Sequence, residues 1–134
     1  MASSTRSFLT FTLLAAFLVS CSSTSSKQAP PAQLHQVGFV WLKNPGNKSD
    51  RQKVVDAVHE FAKSIPEVKR ASVGYTDGIG GPFSDTSYDV AFTIVFADDA
   101  ARLRYNAHPV HEKAAKEVFL PLSRKLLFYR YASE

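Results

Sequence analysis

The stretch Tyr105-Asn-Ala-His108-Pro-Val-His111 gathers a phenol and two imidazoles, side chains that donate, accept and move protons near neutral pH. Pro109 suits a first helical position, which makes His108 the expected cap and puts His111 in the first turn of the helix. There the positive end of the helix dipole disfavours imidazolium, so His111 is expected to be neutral and able to act as a base. With Tyr105 orienting that ring or polarising a carbonyl, the pair has the chemistry to abstract a proton beside a carbonyl. General base catalysis accelerates such a step by about 10²- to 10⁴-fold. The competing reading is structural: His108 only caps, and His111 only satisfies a buried hydrogen bond. His35, in the first apolar run, is a third imidazole that would join them in a pocket. Imidazoles suit zinc or copper, but no carboxylate stands at ligand spacing beside these three. They therefore read as pocket lining, with His35, Phe39 and His108 as ligand contacts and with no metal or cofactor implied. His59 falls on the polar side of its helix and reads as solvated.

A folded domain must position these groups, and its elements follow from periodicity. Residues 34–42 read as a strand with His35, Val37, Phe39 and Trp41 on one face and Leu34, Gly38, Val40 and Leu42 on the other. Asn44-Pro-Gly-Asn47 turns the chain, and Ser49-Asp-Arg-Gln52 has the form of a capping box opening a helix over 50–64. Val54, Val58, Phe61 and Ile65 form its apolar stripe, and Pro66 stops it. A second strand is expected over 68–75, then a glycine-rich connection or pocket lid over 76–86. This loop leads into a strand and lacks the Lys-Ser/Thr pair and following helix of a phosphate cradle. Residues 88–96 alternate, with Tyr88, Val90, Phe92, Ile94 and Phe96 expected on one face. Asp98 should cap a helix over 99–106, and the helix from Pro109 carries Val110, Ala114, Val118 and Leu122, with Pro121 bending or closing its end. A last strand is expected over 125–131. The order β-α-β-β-α-α-β is a ferredoxin-like α+β arrangement with a four-stranded antiparallel sheet. Strands apolar on both faces need a second cover, which a two-fold partner sheet supplies economically.

The 134 residues are 45% hydrophobic and 21% charged, which excludes a disordered or fibrous chain and points to one small domain. The net charge of +4 is interleaved along the chain, not gathered into a patch, so nucleic acid is not an expected partner. One cysteine excludes a disulfide framework within the chain. Arg6 followed by the apolar run 8–19 reads as a secretory signal, because a bilayer-spanning helix needs about 20 apolar residues. That run ends in Leu18-Val19-Ser20-Cys21, which resembles a bacterial lipobox, with residues 1–20 removed and Cys21 lipidated. Residues 21–33 lack large apolar side chains and read as a tether to a membrane, leaving 34–134 as the domain. Ser22 after the cysteine fits outer-membrane sorting in a Gram-negative envelope.

Three groups of residues carry a family resemblance: His35-x-Val37-x-Phe39, Tyr88-Asp89, and above all Tyr105-Asn-Ala-His108-Pro-Val-His111. The domain resembles the stress-responsive dimeric α/β-barrel (Dabb) family over about residues 35–131. The resemblance implies a homodimer whose sheets face each other to close a barrel, with a pocket in each subunit between sheet and helices. In a plant polyketide cyclase of the family, a tyrosine and a histidine matching Tyr105 and His111 carry the acid–base step without a cofactor. The residue matching His35 lies near the same pocket. The leader, the long glycine loop and Arg130, where many members have an acidic residue, depart from the family pattern. Three functions are open on this basis: a lipid-anchored binder of a small apolar or aromatic molecule, a cofactor-independent cyclase, isomerase or lyase, and a structural lipoprotein with a closed interior.

Overall fold

In the computed structural model, which describes residues 31–134, the chain runs β1 (Leu34–Leu42), α1 (Lys48–Ser64), β2 (Arg70–Tyr75), β3 (Val90–Phe96) and α2 (Asp99–Asn106). It continues through α3 (Pro109–Ala114), a π-helical turn (Ala115–Phe119), the short α4 (Leu120–Leu122) and β4 (Ser123–Ala132). The expected signal sequence, Cys21 and most of the expected tether lie outside the described residues. All strand pairs are antiparallel in the order β2-β3-β1-β4, so the fold is ferredoxin-like α+β. Among the described residues no helix is long and apolar enough to cross a membrane.

Alternation along the strands decides which side chains meet the helices. Val40 and Leu42 of β1 and Val90, Phe92, Ile94 and Phe96 of β3 are buried with Val54, Val58 and Phe61 of α1, Tyr105 of α2 and Phe119 of the π-helical turn. The helices thus cover one face of the sheet. At about 1.5–3 kcal/mol per fully buried large apolar side chain, this layer is the main source of stability.

Two local expectations are corrected. The cap of α1 is Asn47, not Ser49: its extended backbone lets the side-chain oxygen accept from Asp50 N at 2.9 Å, and Ser49 falls inside the first turn. Gln52 does not reach back, because it donates to Asp56 and accepts from the Tyr75 hydroxyl. Tyr88 does not share a face with Val90. The chain bends at Asp89, whose carboxylate turns inward to accept from Leu42 N (2.9 Å), Gly46 N (2.6 Å) and Arg51 (3.1 Å). Tyr88 thereby reaches the outer face, against Phe39 at 5.1 Å. Gly46 has φ +76°, a left-handed conformation that glycine adopts without steric cost. Burial alone would raise the Asp89 pKa, but the two backbone N–H donors and Arg51 outweigh it and hold the carboxyl below its usual range.

Candidate functional site

The connection between α2 and α3 builds the centre of the site. Asp98 caps α2 by accepting from Ala101 N at 2.7 Å, which fixes the start of the helix that carries Tyr105 in its last turn. Ala107 N and His108 N close that helix onto the carbonyls of Leu103 and Tyr105. His108 then caps α3 through its ring, Nδ1 accepting from Val110 N at 3.3 Å, with Pro109 as first helical residue. The reversal is tight enough for His111, in the first turn of α3, to return over the end of α2. Its Nδ1 lies 3.0 Å from the carbonyl oxygen of Asn106, and its ring centroid is 4.5 Å from that of Tyr105.

This geometry sets the protonation of both groups. A carbonyl only accepts, so His111 Nδ1 carries the hydrogen and, in the neutral ring, Nε2 holds the lone pair. Burial pushes the His111 pKa below its ordinary value, against smaller opposing effects of the Asn106 carbonyl and Glu112. The ring is therefore neutral at pH 7, and Nε2 has no hydrogen-bond partner among the described residues. Tyr105 is 2% exposed, and burial pushes its phenol far above the usual range, so it remains a proton donor. Its hydroxyl, too, has no protein partner among the described residues.

Both groups border a cleft of about 480 Å³ between the inner sheet face and the helices. Its apolar part is formed by Phe61, Phe92, Phe119 and Leu126, and its polar part by Gln36, Arg102, Asn106 and Arg130. Gly38 shapes the floor: a Cβ there would stand 2.8 Å from both Phe92 Cε atoms, so only glycine lets that ring lie across β1. The π-helical turn shapes the wall. Pro121 has no N–H to continue an α-helix, and Leu120 N instead donates to Ala115 O, five residues back. Ala115, Phe119 and Leu120 all line the cleft.

Of the residues singled out from sequence, Tyr105 and His111 are brought together and His35, Phe39 and His108 are not. His35 and Phe39 belong to the odd-numbered face of β1, and strand alternation places them across the sheet from the cleft. There His35 stacks on Tyr131 at 4.6 Å, and Phe39 packs with Tyr88, Trp41 and Tyr129. His108 is spent on its cap and does not line the cleft, so the three histidines do not converge. Among the described residues no group of three or more His, Cys, Asp or Glu side chains is placed to hold a metal ion. The loop over 76–86 contributes no lining residue and is not a lid over this cleft. No motif announces Gln36, Arg102 or Gly38; the available signal is Gln36 as the one polar side chain on the inner face of β1, where it is 7% exposed.

The family model of the stress responsive A/B barrel domain (Dabb) matches residues 34–132. Solved structures share the fold. A Dabb family protein with a ferredoxin-like fold from Mesorhizobium loti is 25% identical, with 77% of this chain and 98% of that chain covered and a TM-score of 0.63. A dimeric ferredoxin-like protein of unknown function from Thermobifida fusca is 19% identical, with 76% and 92% covered and a TM-score of 0.63. A hydroxynitrile lyase from Passiflora edulis is 23% identical, with 78% and 96% covered and a TM-score of 0.65. No curated protein matches the chain significantly.

Proposed function

Since the chain belongs to the stress responsive A/B barrel domain (Dabb) family, we propose that it is a cell-envelope lipoprotein, anchored through Cys21 in the outer membrane, whose domain binds a small apolar or aromatic molecule in the cleft. The observation that carries this reading is an apolar cleft bordered by two polar groups that have no hydrogen-bond partner among the described residues, the Tyr105 hydroxyl and His111 Nε2. A ligand that pairs with either group in place of water gains a net of about 0.5–1.5 kcal/mol per hydrogen bond.

The protein acts as a homodimer in this proposal. Val37, Phe39 and Leu127 are half-buried and Tyr129 and Tyr131 more than half exposed on the outer sheet face, a surface suited to a second sheet. The Thermobifida fusca neighbour is described as dimeric, which supports this. A second reading is favoured by the tautomer of His111: a neutral ring with a free Nε2 beside a permanent phenol donor has the parts of a cofactor-independent cyclase, isomerase or lyase. The Passiflora edulis neighbour is, by its name, a lyase.

Native mass spectrometry of the protein purified from its host, as wild type and His111→Ala, tests the binding reading. The expected result is a dimer carrying a small molecule that the variant loses. A bare dimer in both samples refutes retained binding, and a bare monomer refutes the dimer as well. Incorporation of an alkynyl fatty acid into wild type but not Cys21→Ser tests the anchor.

A further inference from the structure

Among the described residues the cleft wall carries two guanidinium groups and no carboxylate. Arg130 extends from the inner face of β4, in register with Gln36 of β1, and makes no hydrogen bond or ion pair among the described residues. Arg102, with its side chain 12% exposed, donates from Nε to Asp99 at 2.6 Å and leaves its Nη groups without a partner among the described residues. Asp99 itself is 64% exposed and stands outside the cleft lining. The hydrogen bond from Arg102 and, more weakly, the charge of Arg130 hold the Asp99 carboxyl below its usual range, opposed by slight burial. Two arginines against one aspartate leave a single net positive charge at the polar end of an otherwise apolar cleft.

Gln36 and Tyr105 add an independent indication. They are 7% and 2% exposed, both line the cleft, and neither side chain has a hydrogen-bond partner among the described residues. A wholly apolar ligand would strip water from Gln36, Arg102 and Arg130 and return no hydrogen bond, an outcome that opposes binding. A planar carboxylate matches the guanidinium fork and neutralises one charge, where a phosphate dianion would overshoot it.

We propose that the cleft selects a monoanionic carboxylate with a compact apolar or aromatic body, its carboxylate held by Arg130 and Arg102 and its body against Phe61, Phe92 and Phe119. The inference rests on the small-molecule reading given above and names its ligand class. Gln36, beside Arg130 in the sheet, supplies a further donor to the carboxylate. Tyr105 and His111 then face the part of the ligand adjoining the apolar body, where a carbonyl or hydroxyl would pair with them.

The test compares three probes of one shape on the full chain by calorimetry: 2-naphthoate, 2-naphthalenemethanol and 2-naphthyl phosphate. Charge-assisted pairing at a half-open site predicts naphthoate binding about tenfold more tightly than the alcohol, and more tightly than the phosphate. Arg130→Gln, an exposed position whose change leaves the core intact, should bring naphthoate and alcohol within about twofold, while Arg130→Lys retains part of the preference. Binding should move the His111 ring signals in a nitrogen-edited NMR spectrum. Equal affinity for naphthoate and alcohol, or a preference that survives both Arg130→Gln and Arg102→Gln, overturns the carboxylate assignment and leaves the cleft reading standing. A preference for the phosphate replaces the monoanion with a dianion and also overturns it. Unmoved His111 signals place the probe elsewhere, and no binding by any probe removes the cleft reading together with this one.

Discussion

Tyr105→Phe separates a tyrosine kept for the fold from one kept for a ligand. The ring does structural work: its centroid lies 5.0 Å from that of Phe96, 5.5 Å from Phe61 and 4.5 Å from His111. Phenylalanine preserves those contacts and removes only the hydroxyl. Were that hydroxyl paired within the protein, its loss would destabilise the fold by about 1 kcal/mol or more. It has no protein partner among the described residues and borders a cleft that water enters, so the variant should be unchanged or more stable by up to about 1 kcal/mol. Affinity for the ligand that co-purifies should fall about 2- to 12-fold, the equivalent of one neutral hydrogen bond of about 0.5–1.5 kcal/mol. Urea unfolding at constant m-value reads the first effect and calorimetry the second. Because burial keeps the phenol protonated, neither difference should depend on pH between about 5 and 9. Tyr105→Ala is the control, expected to lose about 3–5 kcal/mol through the cavity it opens. A loss above about 1 kcal/mol in Tyr105→Phe, with unchanged affinity, would show that the hydroxyl belongs to the fold and would refute the reasoning.

Four other outcomes are expected. Gly38→Ala should cost about 1–3 kcal/mol by overpacking against Phe92, with a favourable coupling to Phe92→Leu in a double-mutant cycle; additivity would mean that the two residues do not meet. Asp89→Asn leaves Arg51, 23% exposed, without its charge partner and should cost about 2–3 kcal/mol at pH 7. Since the folded Asp89 pKa is lowered, its contribution is complete above the unfolded carboxylate value and fades as pH falls through the folded one, so the two proteins should converge in denaturant melts well below about pH 4. His111 should titrate by NMR below its ordinary value. Stability should accordingly be complete above about pH 6.5 and decline as pH falls through the lowered pKa, a decline absent in His111→Gln. Phe39→Lys, on the outer face, should shift sedimentation from dimer to monomer without unfolding the domain; a persistent dimer would locate the interface elsewhere.

Where residues act through local backbone geometry, the fold is legible in the sequence. Asp98 and His108 cap the helices their positions imply, β1 spans the residues its apolar run marks, and the stripe Val110, Ala114, Val118 and Leu122 packs on the core. The family match over residues 34–132 agrees with the resemblance carried by Tyr88-Asp89 and Tyr105 to His111. The errors arise where a distant partner competes with a local rule. Asp89 is drawn to the N–H groups of Leu42 and Gly46, more than forty positions away, and the resulting bend carries Tyr88 to the other face. The neutral state of His111 is anticipated from the helix dipole, yet burial is its main cause, and burial depends on Phe61 and Phe119 arriving from other elements.

The displacement of His35 from the site follows from the same alternation that places Gln36 in it. Positions 35 and 36 point to opposite faces, so a strand beside a one-sided helical layer can contribute only one of them to the cleft. Grouping His35 with Tyr105 and His111 by chemical type favours the residue with the more reactive ring and passes over its neighbour, whose side chain lines the cleft and has no hydrogen-bond partner among the described residues. The division extends across the sheet. Gln36, Gly38, Phe92, Phe128 and Arg130 face the helices, while His35, Phe39, Trp41, Tyr129 and Tyr131 form a separate aromatic surface. The proposed association through one face and the proposed ligand recognition on the other should then be separable by substitution. Phe39→Lys should change assembly with little effect on naphthoate affinity, and Arg130→Gln should do the reverse, although the two strands that carry these residues are hydrogen-bonded to each other.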